Sequence, residues 1–361
     1  MKKSYFIIII IAIGVIGGLL ASGVWSPFVA QKNLNKAIGK LAEISLFKAE
    51  GNGWVEMIFP KEDGKEKSQN IKLSLDFESL FDIKNEKSDS EINFNLEGLD
   101  PLSLLMGSVA LGEESGMEFK LSLGAQVKSK ENELYIKLTK LPALLSDLAS
   151  NISDQWIKTD LKKISQETTE EKIKIPEEKE KELLAKIFEK IKEVLKKKPI
   201  LKVKKILAGE RIDGMSCFHY LVNLDKDSIK EMIIESAKIA KDYLPAEEKA
   251  AYEKALEENL NDFSKKYDEF VQKIGEINFE VWIGKDFFIR KIKGEKEIDS
   301  EKLKDLLEGT KAEEIKEFKA KIKLGIESKF SDFNKEVKIE MPEDYKDYEE
   351  LFPAATSTPS E

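Results

Sequence analysis

GERIDGMSCFHYLVNLDKDSIK, residues 209–230, decides the architecture, because one short span carries a tight turn, an alternating strand and a helix start. Asp213-Gly214 tolerates the positive φ of a short hairpin connection. Phe218, Tyr220, Val222 and Leu224 then alternate with Cys217, His219, Leu221 and Asn223, which predicts a strand with one apolar and one mixed face. The span also contains the only cysteine and the only histidine of the chain. On a strand, residues two apart point the same way but stand about 6.5–7 Å apart. That geometry does not favour the contact near 3 Å that a thiol and an imidazole need for nucleophilic catalysis. Two such ligands without a third His or Cys also make a poor zinc site. The pair reads as decoration of a strand.

Working outward, the same period of two recurs in Ile71, Leu73, Leu75 and Phe77, in Ile92, Phe94 and Leu96, and in Phe119, Leu121, Leu123, Ala125 and Val127. It returns in Leu134, Ile136 and Leu138, in Ile277, Phe279, Val281 and Ile283, in Phe318 to Ile326, and in a short run at Val337, Ile339 and Met341. Alternation of this kind is the habit of antiparallel sheets with one wet face. Gly51-Asn52-Gly53 and Asp63-Gly64 read as further turns. Helical spacing marks Gln31–Leu46, the Pro176–Lys198 segment, Asp227–Leu244 and Ala246–Ile274, the last two separated at Pro245. Helices are needed, because so many apolar strand faces left open would exceed what a soluble surface exposes.

Charged residues make up 35% of the 361, with a net charge of −9 and Lys and Glu interspersed. A nucleic-acid binder would instead concentrate basic charge on one face, so no nucleic-acid partner is expected. A single cysteine rules out an intrachain disulfide. After Lys2 and Lys3 the chain carries no charge until Lys32, long enough for the roughly 20 apolar residues of a spanning helix. The stretch reads as a transmembrane anchor through residues 5–25, with the short Lys-Lys tail inside and the bulk outside the cytoplasm. The rival reading is a cleaved signal sequence, for which Ala21-Ser22-Gly23 is a suitable small-residue site; the protein would then be secreted. No dinucleotide, phosphate-loop, zinc-protease, nucleophile-elbow or calcium-loop motif occurs. Neither an enzyme, a metal site nor a cofactor is expected.

Three segments carry a family likeness. QWIKTDL at 155–161 is a Trp-bearing strand. The Gly209 to Gly214 hairpin leads into the Phe218-His219-Tyr220 strand, and INFEVWIGKDFFIRKIKGE at 277–295 pairs a Val-Trp-Ile strand with its successor. With SKFSDFNKEVKIEMPE at 328–343 they resemble the LolA-like extracytoplasmic lipid carriers, in particular the LppX/LprG lipoprotein branch. That resemblance implies a half-barrel of antiparallel strands over helices, an apolar cavity for lipid or lipoprotein acyl chains, and no catalysis. The chain departs from the branch at Gly23, where a lipidated cysteine would stand, so a spanning helix would serve as tether.

The sequence therefore predicts an α+β fold: a curved antiparallel sheet covered by amphipathic helices, plus the N-terminal transmembrane helix. Residues 1–30 form the anchor or signal, 31–350 a lipid-binding domain with helical insertions near 176–198 and 227–274, and 351–361 a disordered tail. The expected cavity is lined by Phe94, Leu96, Phe119, Leu121, Leu123, Leu134, Ile136, Leu138, Phe218, Tyr220, Val222, Phe279, Val281, Ile322 and Leu324. Its expected partner is lipid or an acylated protein. The alternative is an extracytoplasmic regulatory module that docks a membrane signalling protein through the 246–274 helix.

Overall fold

The computed structural model describes residues 29–41, 43–59, 70–98, 120–142, 152–160, 198–303 except 245, and 320–351, with much of 182–194. The expected anchor at 5–25, the tail after 351, the Asp63-Gly64 turn and Phe119 lie outside the described residues. Among those described, no helix is long and apolar enough to cross a membrane. Chain contacts gather into two compact units: residues 44–168 with 320–361, and residues 1–43 with 169–319.

The described residues of the first unit lie mostly in strands. They are β1 (Leu46–Ile58), β2 (Asn70–Asp82), β3 (Lys87–Glu97), β4 (Lys120–Lys130), β5 (Glu133–Lys140), β6 (Trp156–Asp160), β11 (Lys321–Ser331) and the two-residue β12 (Lys346–Asp347). Their order, β12-β6-β5-β4-β3-β2-β1-β11, is linear, so the sheet does not close. All pairs are antiparallel except β12, which lies parallel to β6. A four-residue helix, α4 (Tyr348–Leu351), follows β12. β1 differs from expectation at Gly51-Asn52-Gly53. No turn forms there; the strand runs straight through, pairing Gly51 and Gly53 with Phe77 and Leu75 on one side and with Ser328 and Ile326 on the other. Two flanking strands in continuous register outweigh the local preference of a Gly-Asn-Gly triplet. The run at Val337, Ile339 and Met341 likewise forms no strand. It crosses the polar face of the sheet, where Lys87 donates to the Ile339 carbonyl at 3.4 Å and Lys128 to the Glu340 carbonyl at 3.0 Å.

The second unit has the strands β7 (Leu201–Ile212), β8 (Met215–Leu224), β9 (Asn278–Gly284) and β10 (Ile289–Asp299), in the order β10-β9-β8-β7. The hairpin predicted at Asp213-Gly214 is present, with both residues at positive φ. Helix α1 (Val29–Leu41) lies across β7 and β9. It ends five residues short of the predicted Leu46, because Leu46 instead opens β1. Leu34, Ala37 and Ile38, at most 2% exposed, form the buried stripe of α1. Gln31 fixes its position: the side-chain amide donates to the Leu201 carbonyl at 2.5 Å and its oxygen accepts from the Val203 amide at 2.8 Å.

Helices α2 (Lys226–Ala240) and α3 (Ala246–Ile274) follow β8, separated by a 3-10 turn at Lys241–Tyr243. Asp225 caps α2 by accepting from the Ser228 amide at 2.9 Å, and it also pairs with Lys202. Tyr243 donates to Glu182 of the helical 182–194 segment at 3.1 Å, and Lys190 pairs with Glu235 at 3.5 Å. Gly275 ends α3 at a φ of 74°, the left-handed conformation that a glycine accepts without a Cβ penalty.

Candidate functional site

Directly opposed residues of an antiparallel pair share a face, so the registers of the eight-stranded unit define its surfaces. One row runs Ile326, Gly53, Leu75, Phe94, Leu123 from β11 through β4, and the next runs Leu324, Val55, Leu73, Leu96, Leu121. Ile322 joins the same face opposite Met57. Beyond β4 the face continues through Leu138 opposite Ala125, Ile136 opposite Val127 and Leu134 opposite Ser129. The expected residues on this unit that are described therefore all share one surface. They are half-buried, neither sealed nor free. In the first row Ile326 and Leu75 stay 45% and 39% exposed.

Gly53 lies between those two side chains and contributes none. A methyl group there would meet nothing closer than the Gly325 carbonyl oxygen at 3.8 Å, so a trough with a glycine floor runs between two exposed aliphatic walls. Toward the start of β1 the face ends in aromatic rings: Phe47 stacks on Phe81 at 4.9 Å, with Phe330 at 6.4 Å. In sequence, glycine inside an alternating strand marks close approach or open space as readily as a turn.

The opposite face of the unit is polar, with ion pairs such as Lys128–Asp89 at 2.8 Å and Lys158–Glu133 at 2.6 Å. A groove of about 440 Å³ opens between the Asp82–Lys87 turn and the Asn334–Ile339 segment. Asp82 accepts from Asn85, Lys335 pairs with Asp332 and Lys338 with Glu340, so the groove is largely polar and part of its charge is paired locally.

In the four-stranded unit Tyr220, Val222 and Val281 are at most 3% exposed, beneath α1. The Asn33 amide donates to the Tyr220 hydroxyl at 3.4 Å, and burial pushes that phenol's pKa up. Phe279 lies over Gly294, where an added methyl would fall 2.4 Å from its ring, and Phe218 remains 38% exposed. These five expected residues belong to the apolar side of this smaller sheet, and three of them are fully packed in its core.

Cys217 and His219 occupy the other side. Neither is paired with the other: the thiol donates weakly to the Met215 carbonyl at 3.5 Å, whereas the imidazole meets Glu280 at 2.8 Å and the Ala208 carbonyl at 3.3 Å. The His219 ring stacks on Trp282 at 4.1 Å, and Trp282 donates to Glu210 at 3.1 Å. Burial pushes the Cys217 thiol above its usual range, the wrong direction for a nucleophile. Among the described residues no cluster of His, Cys, Asp and Glu is arranged to hold a metal ion.

Helix α3 turns one side to α2. Tyr267 donates to the Lys226 carbonyl at 2.8 Å and Tyr252 to the Ala237 carbonyl at 3.2 Å, while Lys226 donates to the Val271 carbonyl at 2.9 Å. Phe270 remains 43% exposed.

No protein-family model matches the chain, and no curated protein does. Among solved structures, the chain is similar to the Mycobacterium tuberculosis lipoprotein LppX, at 10% identity and a TM-score of 0.32, over 85% of this chain and 96% of that one. It is also similar to LprF from Mycobacterium bovis, at 10% identity and a TM-score of 0.29, over 85% and 97% of the two chains.

Proposed function

We propose that this protein is a membrane-anchored, extracytoplasmic, non-catalytic binding protein that holds lipid or lipoprotein acyl chains against the apolar face of its eight-stranded unit. One observation carries the reading: the face is apolar row after row, yet Leu75 and Ile326 stand exposed on either side of the side-chain-free Gly53. Such a surface is costly in water, and a hydrocarbon chain laid along it recovers about 0.8 kcal/mol per buried CH₂. Strands β2 and β11 flank β1 at about 10 Å from each other, which leaves width for a chain over Gly53. The separate hydrogen-bond partners of Cys217 and His219 support the absence of a nucleophile and base pair. The uncharged stretch ahead of Lys32 supports the tether.

The test is direct. Full-length protein purified in a mild detergent is extracted with organic solvent and the extract is weighed by mass spectrometry, and a delipidated sample is titrated with a fluorescent fatty acid. Stoichiometric lipid and saturable, competable binding of the probe are expected. An extract matching the detergent blank together with no saturable binding would end the proposal, and capture of a specific membrane protein through α3 in its place would favour the docking reading.

A further inference from the structure

The start of the described chain carries a surface that lipid-chain binding does not use. Between Ser4 and Ala42 the sequence has no acidic residue, in a protein whose net charge is −9. The only charges in that interval are Lys32, Lys36 and Lys40. At a spacing of four they form one stripe on α1, opposite the buried Leu34, Ala37 and Ile38. Lys32 and Lys36 are exposed, and Val29, where α1 emerges from the uncharged segment, is 72% exposed on the same side.

The tip of the β9–β10 hairpin joins this stripe. Its sequence is Lys285-Asp286-Phe287-Phe288, and Lys36 Nζ stands 3.9 Å above the Phe287 ring centroid while Lys40 Nζ lies 5.7 Å from that of Phe288. Phe287 has a φ of 66°. A bulky side chain in left-handed backbone is a strained arrangement, held here by the Phe287 amide donating to the Gly284 carbonyl at 2.8 Å and the Gly284 amide to the Phe288 carbonyl at 2.9 Å. Asp286, the one acidic group of the tip, is neutralised by Arg290. The turn thus presents two half-exposed rings beside the lysine stripe, whose last member, Lys40, is itself paired with Glu43 at 2.5 Å, at the place where the chain leaves its uncharged segment.

We infer that the exposed side of α1 together with the Phe287–Phe288 hairpin tip is a docking surface for an anionic bilayer leaflet. Exposed phenylalanine rings enter the headgroup/acyl boundary as the apolar side of interfacial helices does, and lysines reach outward to the anionic phosphates. The sign of the charge matches the leaflet although the rest of the chain is acidic, and the uncharged stretch ends at the edge of the patch. The inference rests on the tether reading only for the nearness of the bilayer; it adds which side of the four-stranded unit meets lipid and by what chemistry.

The test uses full-length protein with Cys217→Ala and Phe287→Cys, labelled at the single thiol with an environment-sensitive fluorophore and reconstituted into vesicles containing a headgroup-region quencher lipid. Flotation with purely phosphatidylcholine vesicles reads the tether alone. With vesicles containing phosphatidylglycerol the fluorophore is expected to be quenched and blue-shifted, and the quenching is expected to be lost in 1 M NaCl and in the Lys32→Glu/Lys36→Glu/Lys40→Glu variant. Folding of the variants is checked by circular dichroism, and the salt arm stands even where the triple variant does not fold. A fluorophore left unquenched on phosphatidylglycerol vesicles, or quenched equally on phosphatidylcholine and in high salt, overturns the inference. Failure to float on phosphatidylcholine while quenching on phosphatidylglycerol persists would remove the tether and leave the docking surface standing.

Discussion

The indole of Trp54 lies flat against Gly325, its cross-strand partner, on the polar side of the eight-stranded sheet: a methyl group on Gly325 would fall 2.3 Å from the ring. A strand glycine weakens a sheet by its backbone freedom, and an aromatic ring laid over it from the neighbouring strand offsets that loss. Gly325→Ala must push the ring off β11, and overpacking of this kind costs about 1–3 kcal/mol. The urea midpoint of the variant is expected to fall with an unchanged slope, and Trp54→Leu added to Gly325→Ala is expected to recover part of the loss. Additive effects of the two substitutions would show that the ring and the glycine do not act as a pair.

Gln31 makes the second prediction. Its side chain imitates a passing strand, meeting both the carbonyl of Leu201 and the amide of Val203, and it is only 7% exposed. Gln31→Leu keeps roughly the volume but strands the buried Leu201 carbonyl, at a cost of about 1–3 kcal/mol, and the part-buried Val203 amide, at less. Hydrogen exchange should accelerate at Val203 ahead of the rest of the four-stranded unit, while the eight-stranded unit keeps its protection. Uniform acceleration across both units would mean that the clamp is not local.

Asp225 sets an acid limit. Burial raises its pKa, but the pairing with Lys202 and the bonds from the Ser228 amide and hydroxyl outweigh it, so the carboxyl is held below the ordinary 3.8. A group with a depressed folded pKa stabilises fully above its unfolded value and loses that contribution as pH falls through the folded one. Asp225→Asn preserves a cap but removes the charge. Wild type is expected to be more stable than the variant from neutral pH down to about pH 4. Below that the two denaturation midpoints should converge, and a gap that persists to pH 2 would assign the effect to shape rather than charge.

The sheet was legible in the sequence because a period of two survives any neighbour, and Phe94, Leu96, Leu121 and Leu123 fall on one face whichever strand pairs with them. What the period cannot say is what lies over that face. Tyr220 and Phe94 look alike in alternation, yet Tyr220 is closed over by α1, a helix almost 190 residues earlier in the chain, whereas Phe94 stays half-covered. Gly53 was hidden for a different reason: Gly-Asn-Gly carries the local chemistry of a turn, and only pairing on both sides, with Leu75 and Ile326, holds it extended. The division into two units has no compositional mark, because each is assembled from separated stretches of chain without a linker rich in Pro, Gly or Ser.

Gly53 also separates binding from stability. Because an added Cβ meets only ordinary contact there, Gly53→Ile places its first side-chain carbon without a clash against the backbone. Replacing glycine by a β-branched residue inside a strand favours the sheet by up to about 1 kcal/mol. The new side chain would fill the space between Leu75 and Ile326, so an acyl chain seated in the trough loses its floor. Exclusion of two CH₂ groups corresponds to about 1.6 kcal/mol, or somewhat more than a tenfold weaker Kd. The variant is therefore expected to melt at the same temperature as wild type or slightly above it, while the fluorescent fatty acid binds at least tenfold more weakly and co-purified lipid falls. Stability and affinity ordinarily decline together when a core is damaged; here they should move in opposite directions. An unchanged Kd in a well-folded Gly53→Ile protein would place any bound chain elsewhere than over β1.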